Sequence, residues 1–582
     1  MPSRSKSATA KGKQVRQVFG ERGVVSSERG TIIFGLGDES DIQSLHVRWP
    51  DGTESTHATP PADRLLVIKQ TANEPERTAA QYHADLSKSL YHETSAERGL
   101  VYTSNAYPIE ELAGQRLLPR RLGGTAPGLA TADVNHDGYA DIFVTGARAQ
   151  SGTLFLGQSD GSFITADSQP WSEAAAADDV SATFFHYNGD QNPDLYISAG
   201  GVEGNFDNRL YLGDGEGGFA RHALFHEQHA STVVVADDFN RDGHIDLFVG
   251  GSSTPGEWPK TQGSKLLRNT TDGFTLQPDQ TTDTTPLNGH ITGASWSDLD
   301  ADGDPDLVTA TDWGTIKVAL NRNGKLTDAS EKLGLASHTG WWRAIEVADV
   351  NNDGRLDIIA GNVGLNTKYR ASSEHPAVVY AGDLDGSGKH EILEAQYDED
   401  GRLYPLRGRS KLSYSFRKLR RQFRNFASFA EASVEEIFEG ELLDQAMKLE
   451  ATELRSGIFL QQPNGTFQFA PLPSEAQMAP IHGIVFADLT GDDLPDLFVA
   501  GNDFSPEPST GRFDGSLGRL FQGDGQGNFQ ALPPAASGLI VPGDTRSVIM
   551  LPPLQPGGLP RIVTANANGP VRLFEPTSPA TP

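Results

Sequence analysis

The chain contains no cysteine, which removes disulfides, thiolate zinc sites and thiol catalysis from consideration. It contains no run of eighteen consecutive apolar residues, so the sequence offers no membrane-spanning helix. The start, Met1-Pro2-Ser3-Arg4-Ser5-Lys6-Ser7, is polar and basic with no apolar segment behind it, and no export signal is legible there. Positive charge is scarce: 48 Lys and Arg stand against 77 Asp and Glu, a net charge of -29 that repels nucleic-acid phosphates. Neither an H-E-x-x-H metalloprotease sequence nor a G-x-x-x-x-G-K-[ST] phosphate loop occurs, and scattered histidines define no triad. No catalytic signature stands out, so the expectation is not an enzyme. Glycine is plentiful instead, 63 of 582 residues, with ordinary hydrophobic content, which points to many turns and short strands and not to disorder.

The carboxylates are not spread evenly. Asp133, Asn135, Asp137 and Asp141 place oxygen side chains at positions 1, 3, 5 and 9 of a loop with Gly138 at position 6. That spacing suits a hard cation, with the backbone carbonyl of Tyr139 at position 7 as a further ligand. The pattern recurs as Asp238, Asn240, Asp242, Asp246 with His244 at position 7, and as Asp298, Asp300, Asp302, Asp306 with Asp304 there. It recurs again as Asp349, Asn351, Asp353, Asp357 with Arg355, and as Asp383, Asp385, Ser387, Glu391 with Lys389. Two copies are eroded. His186, Asn188, Asp190 and Asp194 lack the first acid and have Gln191 at position 6; Asp488, Thr490, Asp492 and Asp496, with Leu494 at position 7, have Asp493 at position 6.

An EF-hand would need a carboxylate at position 12, where four intact loops have Val144, Val249, Thr309 and Ala360, and it would need flanking helices. Here β-type runs such as Thr232-Val235 and Leu247-Val249 flank the loop, so it reads as a β-hairpin turn. The bland alternative is an acidic turn solvated without metal. Two carboxylates ~5 Å apart repel by about 3 kcal/mol at an effective dielectric of 20, which favours a bound cation in the intact loops. The expected cofactor is calcium, several ions per chain.

Along the chain, residues 1–18 read as a polar tail. From 19 to 71 comes a compact β-rich piece with Phe34-Gly35-Leu36-Gly37 and Val47-Arg48-Trp49-Pro50-Asp51-Gly52. These resemble the F-G-L-G turn and V-x-W-P-x-G strand of the ASPIC/UnbV domain; the match starts inside that domain, so further sequence is expected upstream. Residues 72–89 read as a linker. In 90–575 each acidic loop is followed by a second hairpin with a turn and an aromatic, as in Leu154–Phe163, Leu210–Phe219, Ile458–Phe467 and Leu520–Phe529. Two hairpins make a four-stranded unit, and units roughly 50–60 residues apart are blade-sized. The region resembles the FG-GAP/VCBS repeats of integrin α-subunit heads. With the N-terminal piece it is similar to the cartilage acidic protein family and its bacterial relatives. The expected fold is an all-β propeller of seven blades, with eight as the alternative, since the loops at 349 and 383 are too close for separate blades and a slot near 550 has lost every carboxylate.

A helical insertion is expected over 409–449, where Leu412, Phe416, Leu419, Phe423 and Phe426 step by three and four and Ser433-Val-Glu-Glu436 forms a capping box. Arg402, Arg407, Arg409, Arg417, Lys418, Arg420, Arg421 and Arg424 read either as a docking patch for an anionic partner or glycan, or as a solvated face paired with acidic loops. Trp341-Trp342-Arg343, Gly361–Asn366, Asn502, Gly511–Asp514 and Arg546 read either as a sugar pocket on the loop face or as packing and turns. Resemblance implies a calcium-bearing, extracytoplasmic binding or adhesion module for a protein or glycan partner. The alternative is a carbohydrate-active enzyme of the lyase or dehydratase type, which needs a deep axial pocket.

Overall fold

The structure, a computed structural model, describes residues 3–9, 12–18, 33–36, 41–49, 54–69, 89–105, 111–201, 206–223, 225, 227–276, 288–438 and 440–577. The chain divides into two units, Met1–Lys88 and Ser89–Pro582. No helix among the described residues is long and apolar enough to cross a membrane.

The first unit is a sheet of four antiparallel strands: β1 (Ser3–Thr9), β2 (Gly12–Val18), β3 (Ile42–Arg48) and β4 (Glu54–Ala58), in the order β2-β1-β3-β4. This corrects the polar tail. Residues 3–9 and 12–18 pair as antiparallel strands, and β1 pairs with β3 from Arg4 opposite Arg48 to Thr9 opposite Ile42. Their polar composition hid the strands, because the backbone ladder carries them and apolar alternation does not. Trp49, just after β3, donates its Nε1–H to Ser55 Oγ of β4 at 3.2 Å. Gly37, Pro50 to Gly52 and the linker expected at 72–89, apart from Ser89, lie outside the described residues.

Among the described residues the second unit contains seven sheets of the same plan, each with four strands paired in succession, and an eighth inserted sheet. The first strands of the seven are Leu129–Ala132, Asp179–Phe185, Ser231–Asp237, His290–Ser297, Ala344–Ala348, Ile481–Ala487 and Asp544–Leu551. Each neighbours the next, and Asp544–Leu551 returns to Leu129–Ala132. The second strands explain how the sheets hold together. They are buried along their length, and alternate residues feed two different cores. Leu195 and Ile197 join Phe143 and Leu154 of the sheet before, while Tyr196 joins Leu247 and Val249 of the sheet after. Leu497 and Val499 pack with Ile359 and Ile458, and Phe498 packs with Ile562 and Phe574. The period-two alternation of a strand thus becomes a continuous apolar run when both faces are covered.

The last interface joins the ends of the unit. Val563, Ala565 and Leu573 pack against Ile142, Val144 and Phe155. The short strand Tyr91–Glu93 supplies the fourth strand of the C-terminal sheet, pairing with Arg572–Pro576. The slot near 550 is the first hairpin of this closing sheet, whose second strand opens with Arg561 where the others have an acid.

The eighth sheet resolves the crowding of the loops at 349 and 383. Ala377–Gly382, Glu391–Tyr397, Leu403–Pro405 and Met447–Ala451 form a separate sheet, spliced between the second strand (Asp357–Gly361) and third strand (Gly457–Gln461) of one parent sheet. Five short helices between Arg409 and Gln445 belong to it. Leu412, Phe416, Leu419 and Phe423 are buried there, with Phe429, Val434 and Ile437, while Phe426 is exposed. The capping box is present: Ser433 Oγ accepts from Glu436 N–H, and Glu436 Oε2 accepts from Ser433 N–H at 2.8 Å.

Candidate cation-binding loops

In six of the seven sheets the acidic loop joins the first strand to the second, and the position-9 Asp is the first residue of the second strand: Asp141, Asp194, Asp246, Asp306, Asp357 and Asp496. The loop at 383 occupies the same place in the inserted sheet, with Glu391. The backbone takes the left-handed conformation at positions 4 and 6 throughout, as at His136 (φ 58°) with Gly138 (86°) and at Asn352 (57°) with Gly354 (82°). The eroded loops keep this path. Gln191 holds φ 70° and Asp493 holds 64°, a conformation that costs a side-chain-bearing residue more than glycine.

The loop carboxylates fold the turn around themselves. Asp133 accepts from the amides of Asp137 (3.1 Å) and Gly138 (2.9 Å). Asp238, Asp298, Asp349 and Asp383 do the same with their own positions 5 and 6, at 2.8–3.0 Å. The amides of Tyr139, His244, Asp304, Arg355 and Leu494 each donate to the position-5 carboxylate. Asn135 and Asn351, at position 3, donate to the position-5 carboxylates Asp137 and Asp353, both at 3.0 Å.

The position-9 aspartates do something the spacing did not reveal. Each of the six is fully buried and ties the loop to the third strand. Asp306 Oδ1 accepts from Asn321 N–H (2.7 Å) and Oδ2 from Leu299 N–H (3.0 Å). Asp141 does so with Gly157 and Val134, Asp194 with Gly213 and Tyr187, Asp357 with Gln461 and Val350, and Asp496 with Gly523 and Leu489. Burial is the largest influence on these carboxyls and pushes Asp141, Asp306 and Asp357 up to about 6, with the neighbouring loop acids adding to it.

Asp246 breaks the pattern in an instructive way. Its Oδ1 accepts from Asn269 N–H at 2.7 Å, but its buried Oδ2 has no partner. Burial pushes it up to about 7. A buried carboxylate oxygen without a donor is costly, and a cation held by Asp238, Asn240 and Asp242 would satisfy it. Elsewhere the donors converge: one oxygen each from Asp298, Asp300 and Asp306 lie within 4.8 Å of one another, as do oxygens of Asp488, Asp492 and Asp496. All-oxygen clusters of this kind can hold a metal ion, and they suit a hard one.

Arginines contribute to some of the loops. Arg268 pairs with Asp242 at 2.7 Å, Arg322 spans Asp300 and Asp302, Arg355 pairs with Asp353, and Arg241 reaches Asp304 at 3.4 Å. The 133 loop shows no such ion pair among the described residues, and in the 488 loop the neutral Gln522 donates to Asp492.

A left-handed loop thus opens the second strand of six successive sheets, and family models match these repeats. The model described as FG-GAP-like repeat matches residues 133–197, 186–249, 238–309 and 298–360, and that described as ASPIC and UnbV matches 6–75. The chain is an FG-GAP repeat protein with an N-terminal ASPIC/UnbV domain. No curated protein matches it. Among solved structures, it is similar to two crystal structures of BBS1N in complex with ARL6DN, soaked with mercury and with lead. They share 10% and 9% identity, cover 79% and 85% of this chain and 95% and 99% of theirs, with TM-scores of 0.35 and 0.36.

The other candidates in this FG-GAP protein resolve differently. Trp341, Trp342 and Arg343 are buried. Trp341 packs at a tilt against Trp313 and edge-on against Tyr369, Trp342 packs on Phe459 and Phe469, and Asn362 uses its amide to bind Trp341 N–H and Glu453 O. Arg343 and Arg120 bracket the buried Asp312 at 3.3 and 2.7 Å, and Arg546 bridges Asp503 and Asp544. Asp312 feels burial upward, but Arg343 and Arg120 outweigh it and hold its carboxyl at about 2. Sequence reasoning missed this charge network because its members come from segments far apart in the chain. Arg407, expected on a surface patch, is also buried, paired with Glu394.

Proposed function

We propose that this chain is a seven-bladed, calcium-stabilised propeller that serves as an extracytoplasmic binding module for a protein or glycan partner and is not an enzyme. The observation that carries this reading is the unpartnered buried Oδ2 of Asp246, set in a loop geometry that recurs in six consecutive-type hairpins of the ring. Asp133, Asn135, Asp137 and Asp141, with the carbonyl of Tyr139, would hold one ion, and the equivalent residues of the other loops would hold theirs. A bound ion supplies the positive charge that offsets repulsion among three or more carboxylates; the position-9 acid then passes that restraint to the third strand. Calcium at the millimolar levels outside the cytosol suits loops of this kind, which supports an extracytoplasmic site of action.

The tightness of the notch beside Arg120 and Arg343 supports binding over catalysis. Trp313, Trp341, Tyr369 and Phe513 crowd the notch beside Arg120 and Arg343 and leave a cavity of about 10 Å³, room for about one water. A wider cleft of about 750 Å³ opens where the inserted sheet leaves and rejoins its parent, between His338, Arg370 and Arg455. The test is thermal unfolding of the full chain with calcium and with chelator. A lower Tm after chelation, restored by calcium and not by magnesium, is expected; an unchanged Tm would overturn the calcium reading.

A further inference from the structure

The inserted helices carry a surface unlike the rest of this acidic chain. Between Arg409 and Ala430 there is no Asp or Glu, although acids outnumber bases elsewhere. Phe416, Leu419, Phe423 and Phe429 are buried in the core of the insertion. Because they recur every three to six residues, the residues between them are forced outward, and Arg417, Arg420, Arg421 and Arg424 are all exposed. Other bases nearby are spent on the fold: Arg402 on Glu436, Lys411 on Glu507 at 3.5 Å, Lys418 on the carbonyl of Asp385 at 2.7 Å. The four arginines have no carboxylate partner among the described residues. Two large rings lie exposed beside them, Tyr414 at 58% and Phe426 at 63%; Arg420 stands over the first ring and Arg409 over the second, at 5.9 and 4.4 Å.

We propose that this face, Tyr414 and Phe426 with Arg417, Arg420, Arg421 and Arg424, is the docking surface for an acidic oligosaccharide. This rests on the reading of the chain as a binding module. Guanidinium groups match carboxylate and sulfate oxygens with paired N–H donors, and an exposed aromatic face accepts the C–H side of a sugar ring. Arginines without a carboxylate partner, beside exposed aromatic rings, supply both needs at once. Other polyanions fit less well. Duplex DNA carries one charge per ~1.7 Å and would meet the net field of the whole chain, whereas one acidic group per sugar is far sparser. A lipid surface would want a continuous apolar helix face, and these helices are four to seven residues long with Leu412, Leu419 and Phe429 turned into the core.

The experiment titrates the full chain with two probes, a chondroitin sulfate oligosaccharide and an oligogalacturonate, with polyglutamate and anionic phospholipid vesicles as the competing classes. Arg417→Glu/Arg420→Glu/Arg421→Glu/Arg424→Glu should raise the Kd for the saccharides roughly tenfold or more with Tm unchanged, and added salt should weaken wild-type binding. Tyr414→Ala/Phe426→Ala keeps every charge and should also weaken saccharide binding, which separates stacking from mere charge attraction. Saccharide binding indifferent to both variants would overturn the assignment while leaving the binding-module reading intact. Tighter binding of polyglutamate or vesicles than of either saccharide would overturn it in favour of a peptide or a membrane.

Discussion

Replacing Asp306 by alanine removes a carboxylate that no solvent reaches and leaves two buried amides, those of Leu299 and Asn321, without acceptors. Each orphaned buried donor costs ~1–3 kcal/mol, so the pair should destabilise this part of the ring by ~2–6 kcal/mol. Asp246→Ala offers an internal scale. It orphans only Asn269 N–H, so about half that loss is expected, ~1–3 kcal/mol. Asp298→Ala gives the other comparison. The amides it leaves, those of Asp302 and Gly303, sit in the turn where water can replace the carboxylate, so less than about 1 kcal/mol is expected in chelator. Urea unfolding followed through Trp296 and Trp313, on the two strands flanking this loop, reads the change, and amide exchange at Leu299 and Asn321 localises it. With calcium present the Asp298 variant should lose more than it does in chelator, since a ligand is then missing. If Asp306→Ala costs no more than Asp298→Ala in chelator, the buried link to the third strand is not what anchors the loop.

Three further outcomes are expected. Asp312→Ala leaves Arg120 and Arg343 buried without their counter-charge and should cost ~3–5 kcal/mol; because the Asp312 carboxyl is held at about 2, its stabilisation is complete above the ordinary Asp range and should drain away as pH falls from about 4 towards 2, visible as a pH-dependent Tm that the variant lacks. Glu346, on a first strand, is pushed by burial up to about 7, so the folded state keeps a proton that the unfolded state has released. Stability should therefore fall as pH rises from about 4.5 to about 7, and Glu346→Gln should recover ~2–3 kcal/mol above that window and nothing below it, by denaturant midpoint at both ends. Phe574→Ala empties a core position of the C-terminal sheet next to the Tyr91–Glu93 strand and should cost ~3–5 kcal/mol while speeding amide exchange at His92 and Glu93; unchanged exchange there would mean that the strand is held by something other than the closing interface.

Some of this was legible before any coordinates. The loops announced themselves because a turn that gathers several carboxylates needs oxygen donors and a glycine at fixed spacing, and spacing is visible in one dimension. The second strands were legible as apolar runs such as Leu247-Phe248-Val249. The capping box at Ser433 and Glu436 was legible because its bonds are local. The paired strands Ser3–Thr9 and Gly12–Val18 were not, since strands carried by backbone pairing to a distant partner leave no apolar alternation. Whether Trp341 packs or lines a pocket was left open by the sequence for a related reason. Residue type tells that a tryptophan is large and apolar, but only the packing of Trp313 and Tyr369 against it shows that it is filled space.

The sequence alone determined the local chemistry: which turns gather oxygen ligands, which runs must be buried, and where acid gives way to base in the inserted segment. These follow from spacing and composition within a few residues. Tertiary structure decided whatever needs two distant segments to meet. It placed the position-9 aspartates as buried ties to a third strand, set Asp312 between Arg120 and Arg343, lodged the 383 loop in a sheet of its own, and joined Tyr91–Glu93 to Arg572–Pro576. Hydrogen bonds and ion pairs act over a few ångströms of space, whatever the separation along the chain, and that range is what a linear reading lacks.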